Sequence, residues 1–145
     1  MKSRRSSGRR RDDAPPEFLI DRSLGRLTLP AALRAVELTV WTLADVYGEQ
    51  AAQEVQDHNW IALAAERDWV VLCKDDRIRR RPAERDALIT GRVRAFCLTN
   101  ANLTFTEQAE YFVRNRFRII QRSRKPGPYV YGVYKDGIEK LWPKE

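Results

Sequence analysis

Trp69-Val70-Val71-Leu72-Cys73-Lys74-Asp75-Asp76-Arg77 is an uncharged, β-rich run that breaks off abruptly into two carboxylates and a basic tract. Five bulky residues without a charge predict a strand buried on both faces, the pattern of a parallel sheet. Phe18-Leu19-Ile20-Asp21-Arg22 repeats the design, three apolar residues and then an Asp. Ligands of open α/β sheets bind outside the carboxyl ends of the strands. Two strands that each finish on Asp therefore set two carboxylates on one edge.

Working outward, the other segments alternate between the two periods. Pro30 suits the first turn of a helix running to Glu37, and Leu38–Leu43 is a second strand rich in β-branched residues. A short helix is expected from Gln50 to Gln56, and Asp57 is placed to cap the next, which runs through Trp60 and Ile61 to about Arg67. A crossover helix starts at the edge where the preceding strand ended, so Asp57, and with it Glu49, belongs to the same rim. Pro82 opens a helix that Gly91 closes, and Val93–Leu98 is the fourth strand. Thr104 and Glu107 form a capping box for one long helix burying Ala109, Phe112, Val113, Phe117 and Ile120. Tyr129–Tyr134 and Ile138–Trp142 flank Lys135-Asp136-Gly137 as a terminal hairpin. The order predicts an α/β fold: three layers, α/β/α, around a central, mainly parallel sheet with right-handed crossovers and a C-terminal β-hairpin.

The 145 residues suffice for one domain with a real core. Residues 1–16, rich in Arg, Ser and Pro, read as a disordered basic tail, and residues 17–145 as the domain. The net charge is +7, of which residues 1–13 hold +4, a balance that favours polyanionic partners. Cys73 and Cys97 lie inside apolar runs and are expected as buried thiols in a reducing compartment. Neither an apolar signal segment nor a membrane span is visible, so no membrane partner and cytoplasmic residence are expected. Neither the P-loop spacing nor the dinucleotide fingerprint occurs.

Carboxylates converging on one rim repel each other and lose hydration, a conflict that Mg²⁺ or Mn²⁺ relieves while keeping waters of its own. Arg22, Lys74, Arg77, Arg79, Arg80 and Arg81 surround that acidic centre with the opposite sign. Such a surround suits holding a phosphodiester backbone beside a metal.

Phe18-Leu19-Ile20-Asp21, Tyr47-Gly48-Glu49 with Asp57 and Trp60, and Val71-Leu72-Cys73-Lys74-Asp75 followed by Arg77-Ile78-Arg79-Arg80-Arg81-Pro82 together resemble the PIN-like domains of VapC-type toxins. The resemblance spans roughly residues 17–142. It implies a Mg²⁺- or Mn²⁺-dependent endoribonuclease, the toxin of a type II pair held inactive by a cognate antitoxin protein. On the matching positions Asp21, Asp57 and Asp75 are the metal ligands and catalytic acids, with Glu49, Asp76 and Asn100 as further candidates. Where PIN domains often add an acid after the fourth strand, this chain reads Thr99-Asn100-Ala101-Asn102, without a carboxylate. Two alternatives stay open: a catalytically silent PIN relative that binds RNA or protein, and a phosphoacceptor domain of the response-regulator kind. A homodimer is open as well, and neither the RNA target nor the number of metals is legible.

Overall fold

A computed structural model describes residues 14–74 and 76–144, without the side chain of Asp76. Among these residues six strands, β1 (Glu17–Ile20), β2 (Thr39–Thr42), β3 (Val70–Cys73), β4 (Arg94–Leu98), β5 (Tyr129–Tyr134) and β6 (Gly137–Trp142), form one sheet in the order β2-β1-β3-β4-β5-β6. The first five are parallel, and β6 returns antiparallel to β5 as the terminal hairpin. β3 is buried at every position, as an uncharged run requires. The fold is the expected α/β arrangement.

Among the described residues seven α-helices connect and cover the strands: α1 (Thr28–Ala35), α2 (Leu43–Tyr47), α3 (Glu49–Glu54), α4 (Asp57–Arg67), α5 (Pro82–Gly91), α6 (Phe105–Arg114) and α7 (Arg116–Ser123). One face of the sheet buries Phe18, Ile20, Leu72 and Phe96 against Leu29 and Leu33 of α1 and against Phe112 and Ile119 of α6 and α7. The other buries Leu19, Val71, Ala95 and Cys97 against Trp60, Ile61 and Ala64 of α4 and Leu88 of α5. Two residues that neighbour each other along β1, Phe18 and Leu19, thus feed two separate cores, which is why the strand reads as apolar throughout.

The chain leaves β1 to one side for β2 and returns past it to β3, so the strand order reverses between β1 and β3. A crevice opens at the carboxyl ends of strands at such a switch point. The backbone amide of Asp21 donates to Leu72 O at 2.9 Å, carrying the β1–β3 ladder one residue beyond β1.

Helices α1, α4 and α5 end alike, each on a non-glycine residue with positive φ: Glu37 at 69°, Asp68 at 59° and Arg92 at 52°. In each the next amide reaches back five residues, Leu38 to Leu33, Trp69 to Ala64 and Val93 to Leu88, and so satisfies a terminal carbonyl. α5 spans Pro82 to Gly91 as expected, and its positive-φ cap falls one residue on, at Arg92. Gly91 is the last helical residue, where a Cβ would collide with that of Ala65, so its smallness serves the packing of α5 on α4.

Three expectations are corrected. Cys73 and Cys97 are not free thiols: they are registered partners on β3 and β4, with Cα atoms 4.4 Å apart, and are joined by a disulfide. Their spacing along the chain could not reveal that register. The crossovers do not all share one hand. The β4-to-β5 connection shifts the chain in the same direction as the two before it but over the opposite face. Burial accounts for this, because Phe96, Leu98, Tyr129 and Tyr131 all point to that face and need α6 and α7 as cover.

The single long helix breaks at Asn115, which is fully buried. Its Nδ2 donates to Tyr111 O at 2.8 Å and to Tyr134 O at 2.7 Å, tying the break to the end of β5. The break rotates the apolar stripe, so that Ile119 is buried while Phe117, expected inside, is 69% exposed. Asn115→Ala removes the side-chain donor to Tyr134 O and leaves Tyr111 O with the backbone amide of residue 115 alone, and a loss of roughly 1–2 kcal/mol is expected, read as a lower urea midpoint at unchanged slope.

Candidate active site

Asp21 follows β1 directly, at the carboxyl-end edge of the switch point, and is 6% exposed. It occupies the N-cap position of a 3-10 turn (Arg22–Leu24), yet its carboxylate makes no cap bond. Instead Oδ2 accepts from Ser23 Oγ at 2.6 Å. Burial pushes the carboxyl above the usual range, the Ser23 hydroxyl pulls it back in part, and the negative charge of Asp57 raises it again. Asp21 is therefore a buried acid lying in the field of a second acid.

Asp57 opens α4, but not as the cap that its spacing suggests. The N-cap is Gln56, and Asp57 is the first helical residue. Its Oδ1 accepts from Trp60 Nε1 at 2.9 Å, one turn along the helix, and its Oδ2 lies 4.0 Å from Arg81 Nη1. A fully buried indole thus orients a half-exposed carboxylate. Arg22 donates to Val55 O and so fastens the loop after β1 to the segment that leads into α4. That bond explains how residues 36 apart in sequence come to share one rim.

The other expected site residues divide. Asp75 and the side chain of Asp76 lie outside the described residues. The backbone of Asp76 begins a 3-10 turn (Asp76–Arg79) directly after the β3 rim. Glu49 pairs with Arg26 at 3.5 Å, its side chain 78% exposed, away from the buried carboxylate. Asn100 is exposed, and its Oδ1 accepts from the amide of Asn102 at 2.9 Å in a local turn. Arg77 and Arg80 are exposed, Lys74 and Arg79 half-exposed. Arg81 holds Glu84 at 3.2 Å besides its contact with Asp57. Sequence reasoning missed Ser23 and the Nε1 of Trp60. The first was legible as a hydroxyl two residues after the Asp, the second as an indole three residues along the same helix.

Among the described residues no three His, Cys, Asp or Glu side chains gather into a group able to hold a metal. The two acids that are described offer hard oxygen donors, and the raised carboxyl of Asp21 is the electrostatic conflict that a divalent cation removes. The donor chemistry fits Mg²⁺ or Mn²⁺.

The model of the PIN like domain family matches residues 16–100, which hold β1 to β4 and both acids. The chain belongs to the PIN-like domain family. This PIN-like domain is also 35% identical over 124 residues to the "Putative ribonuclease VapC45" of Mycobacterium tuberculosis (strain ATCC 25618 / H37Rv), covering 86% of this chain and 90% of that protein. No solved structure matches the PIN-like domain significantly. The response-regulator alternative is set aside on this membership and on the end of β1, where such a domain wants two acids and Asp21 is followed by Arg22. No helix among its described residues is long and apolar enough to cross a membrane.

Proposed function

We propose that this PIN-like domain is an endoribonuclease that depends on Mg²⁺ or Mn²⁺, with Asp21, Asp57 and Asp75 as the metal ligands. It acts in the cytoplasm as the toxin of a pair with a cognate antitoxin protein. The observation that carries the reading is the buried carboxylate of Asp21, held at the switch point in the field of Asp57. The name of the relative supports the ribonuclease class and the VapC type, for which the sequence resemblance implies a toxin role.

Each residue has a physical task in this mechanism. Asp21 and Asp57 would hold the cation; Ser23 and Trp60 fix one oxygen of each carboxylate and leave the other for it. Bound there, the cation supplies a water of lowered pKa and a Lewis acid at the phosphoryl oxygen. Lys74, Arg77, Arg79 and Arg80 beside the rim position the backbone and offset charge that develops on the phosphoryl oxygens. Arg81 beside Asp57 keeps that rim less negative before substrate arrives.

Cleavage of a structured RNA should stop in EDTA and return with Mn²⁺, and Mn²⁺ should raise the melting temperature. Equal cleavage in EDTA would falsify the metal mechanism. The silent-relative reading is favoured by one observation, the absence of an acid after β4, where the Asn100 oxygen is engaged by Asn102. It predicts neither cleavage nor a Mn²⁺-dependent rise in melting temperature.

A further inference from the structure

Residues 114–125 carry Arg114, Arg116, Arg118, Arg122, Arg124 and Lys125 and not one acid. Like charges a turn apart on a helix repel and lower its stability. Arg118 and Arg122 form such a pair on the exposed side of α7, while Ile119 and Ser123 face the core. Beside them Phe117 stands 69% exposed, with the Arg116 guanidinium 4.5 Å from the centre of its ring. An exposed aromatic ring set among guanidinium groups is the composition of a base-stacking platform in a positive groove.

The placement of α7 adds direction. Asn115, just before it, bonds Tyr134 at the carboxyl end of β5, the edge that carries Asp21. At the other end Arg94, the first residue of β4, donates to Ser123 O, and the Tyr129 hydroxyl donates to Arg122 O at 2.8 Å. The helix therefore runs from the acidic rim to the opposite edge. There Arg124 and Lys125 join Arg67, Arg92 and Arg94 in lining a cleft of about 900 Å³. From β1 to β5 the rim spans three strand spacings, about 14 Å, a distance that a few nucleotides cover.

We propose that α7 is a second contact surface for single-stranded RNA: Phe117 stacks an unpaired base, and Arg118 and Arg122 hold the adjoining phosphates as the strand passes from the rim toward the basic cleft. The inference rests on the ribonuclease reading for the direction of the strand. An unpaired strand is favoured over a duplex because a stacked base leaves no access to the ring. It is favoured over an acidic peptide because charge alone would not need Phe117 outside.

The test is anisotropy of a labelled 12-nucleotide oligouridylate with the full chain in EDTA, where cleavage does not interfere. Phe117→Ala should weaken binding roughly 5- to 150-fold with the salt dependence unchanged. Arg118→Gln with Arg122→Gln should lower the slope of log affinity against log salt by about 1.4, two single-strand phosphate contacts. Both variants should fold and melt cooperatively, and a tetranucleotide bound at the rim alone should be cut at the wild-type rate. Unchanged binding in both variants overturns the proposal. So does a Phe117→Ala protein that binds normally while polyglutamate competes as well as RNA, the outcome for an acidic protein partner. If wild type binds through α7 but cuts no RNA, the surface stands and the ribonuclease reading falls.

Discussion

Asp21→Asn should leave the protein folded, lower RNA cleavage by roughly 10²- to 10³-fold, the scale of losing one preorganised electrostatic contact, and raise the stability of the metal-free protein at neutral pH. The two effects have one cause. Below 3.8 the Asp21 carboxyl is protonated in the folded and the unfolded chain, and it has no bearing on folding. As the pH rises from there, the unfolded chain releases its proton first. The folded chain keeps the proton longer, because burial and then the charge of Asp57 hold the carboxyl up. Stability therefore falls with rising pH from 3.8 until the folded carboxyl has ionised. An amide never ionises, so D21N should melt above wild type at pH 7 without metal and lose the advantage near pH 3.8. Mn²⁺ should then raise the melting temperature of wild type and not of D21N. Wild-type cleavage by D21N, or an equal Mn²⁺ response in both, would sink the ligand assignment.

Trp60 carries the second large effect, because one side chain serves two functions. Its ring is fully buried in the core between the sheet and α4, and its Nε1 holds Asp57 at 2.9 Å. Trp60→Ala opens a cavity worth about 3–5 kcal/mol, and the melting temperature should drop by roughly 10 °C. Trp60→Phe separates the functions. The aromatic ring stays and the indole donor goes, so most of the fold energy survives while Asp57 loses the group that orients it. Removal of a residue that positions a metal ligand costs on the order of 10–100-fold in metal affinity or activity. Trp60→Phe should therefore need about tenfold more Mn²⁺ for half-maximal cleavage, with RNA affinity in EDTA unchanged. A wild-type Mn²⁺ midpoint in that variant would leave Trp60 with a packing role alone.

The chain by itself determined the parallel sheet and the edge on which Asp21 sits. Uncharged apolar runs of three to five residues, separated by segments of helical period, admit few other packings, because such strands must be covered on both faces. The capping box at Thr104 was legible for the same local reason: both of its hydrogen bonds close within four residues, at 3.1 Å and 2.9 Å.

What lay beyond the sequence were relations between distant segments. The disulfide of Cys73 with Cys97 depends on the register of β3 against β4. The orientation of Phe117 depends on a helix break that Asn115 stabilises through Tyr134, nineteen residues away. The approach of Asp57 to Asp21 depends on the strand order reversing at β1 and on Arg22 reaching Val55. Periodicity reports which side of an element is apolar, since that is a property of neighbours a few bonds apart. Which partner meets that side is settled by the competition of whole faces for cover, and only the folded chain decides it.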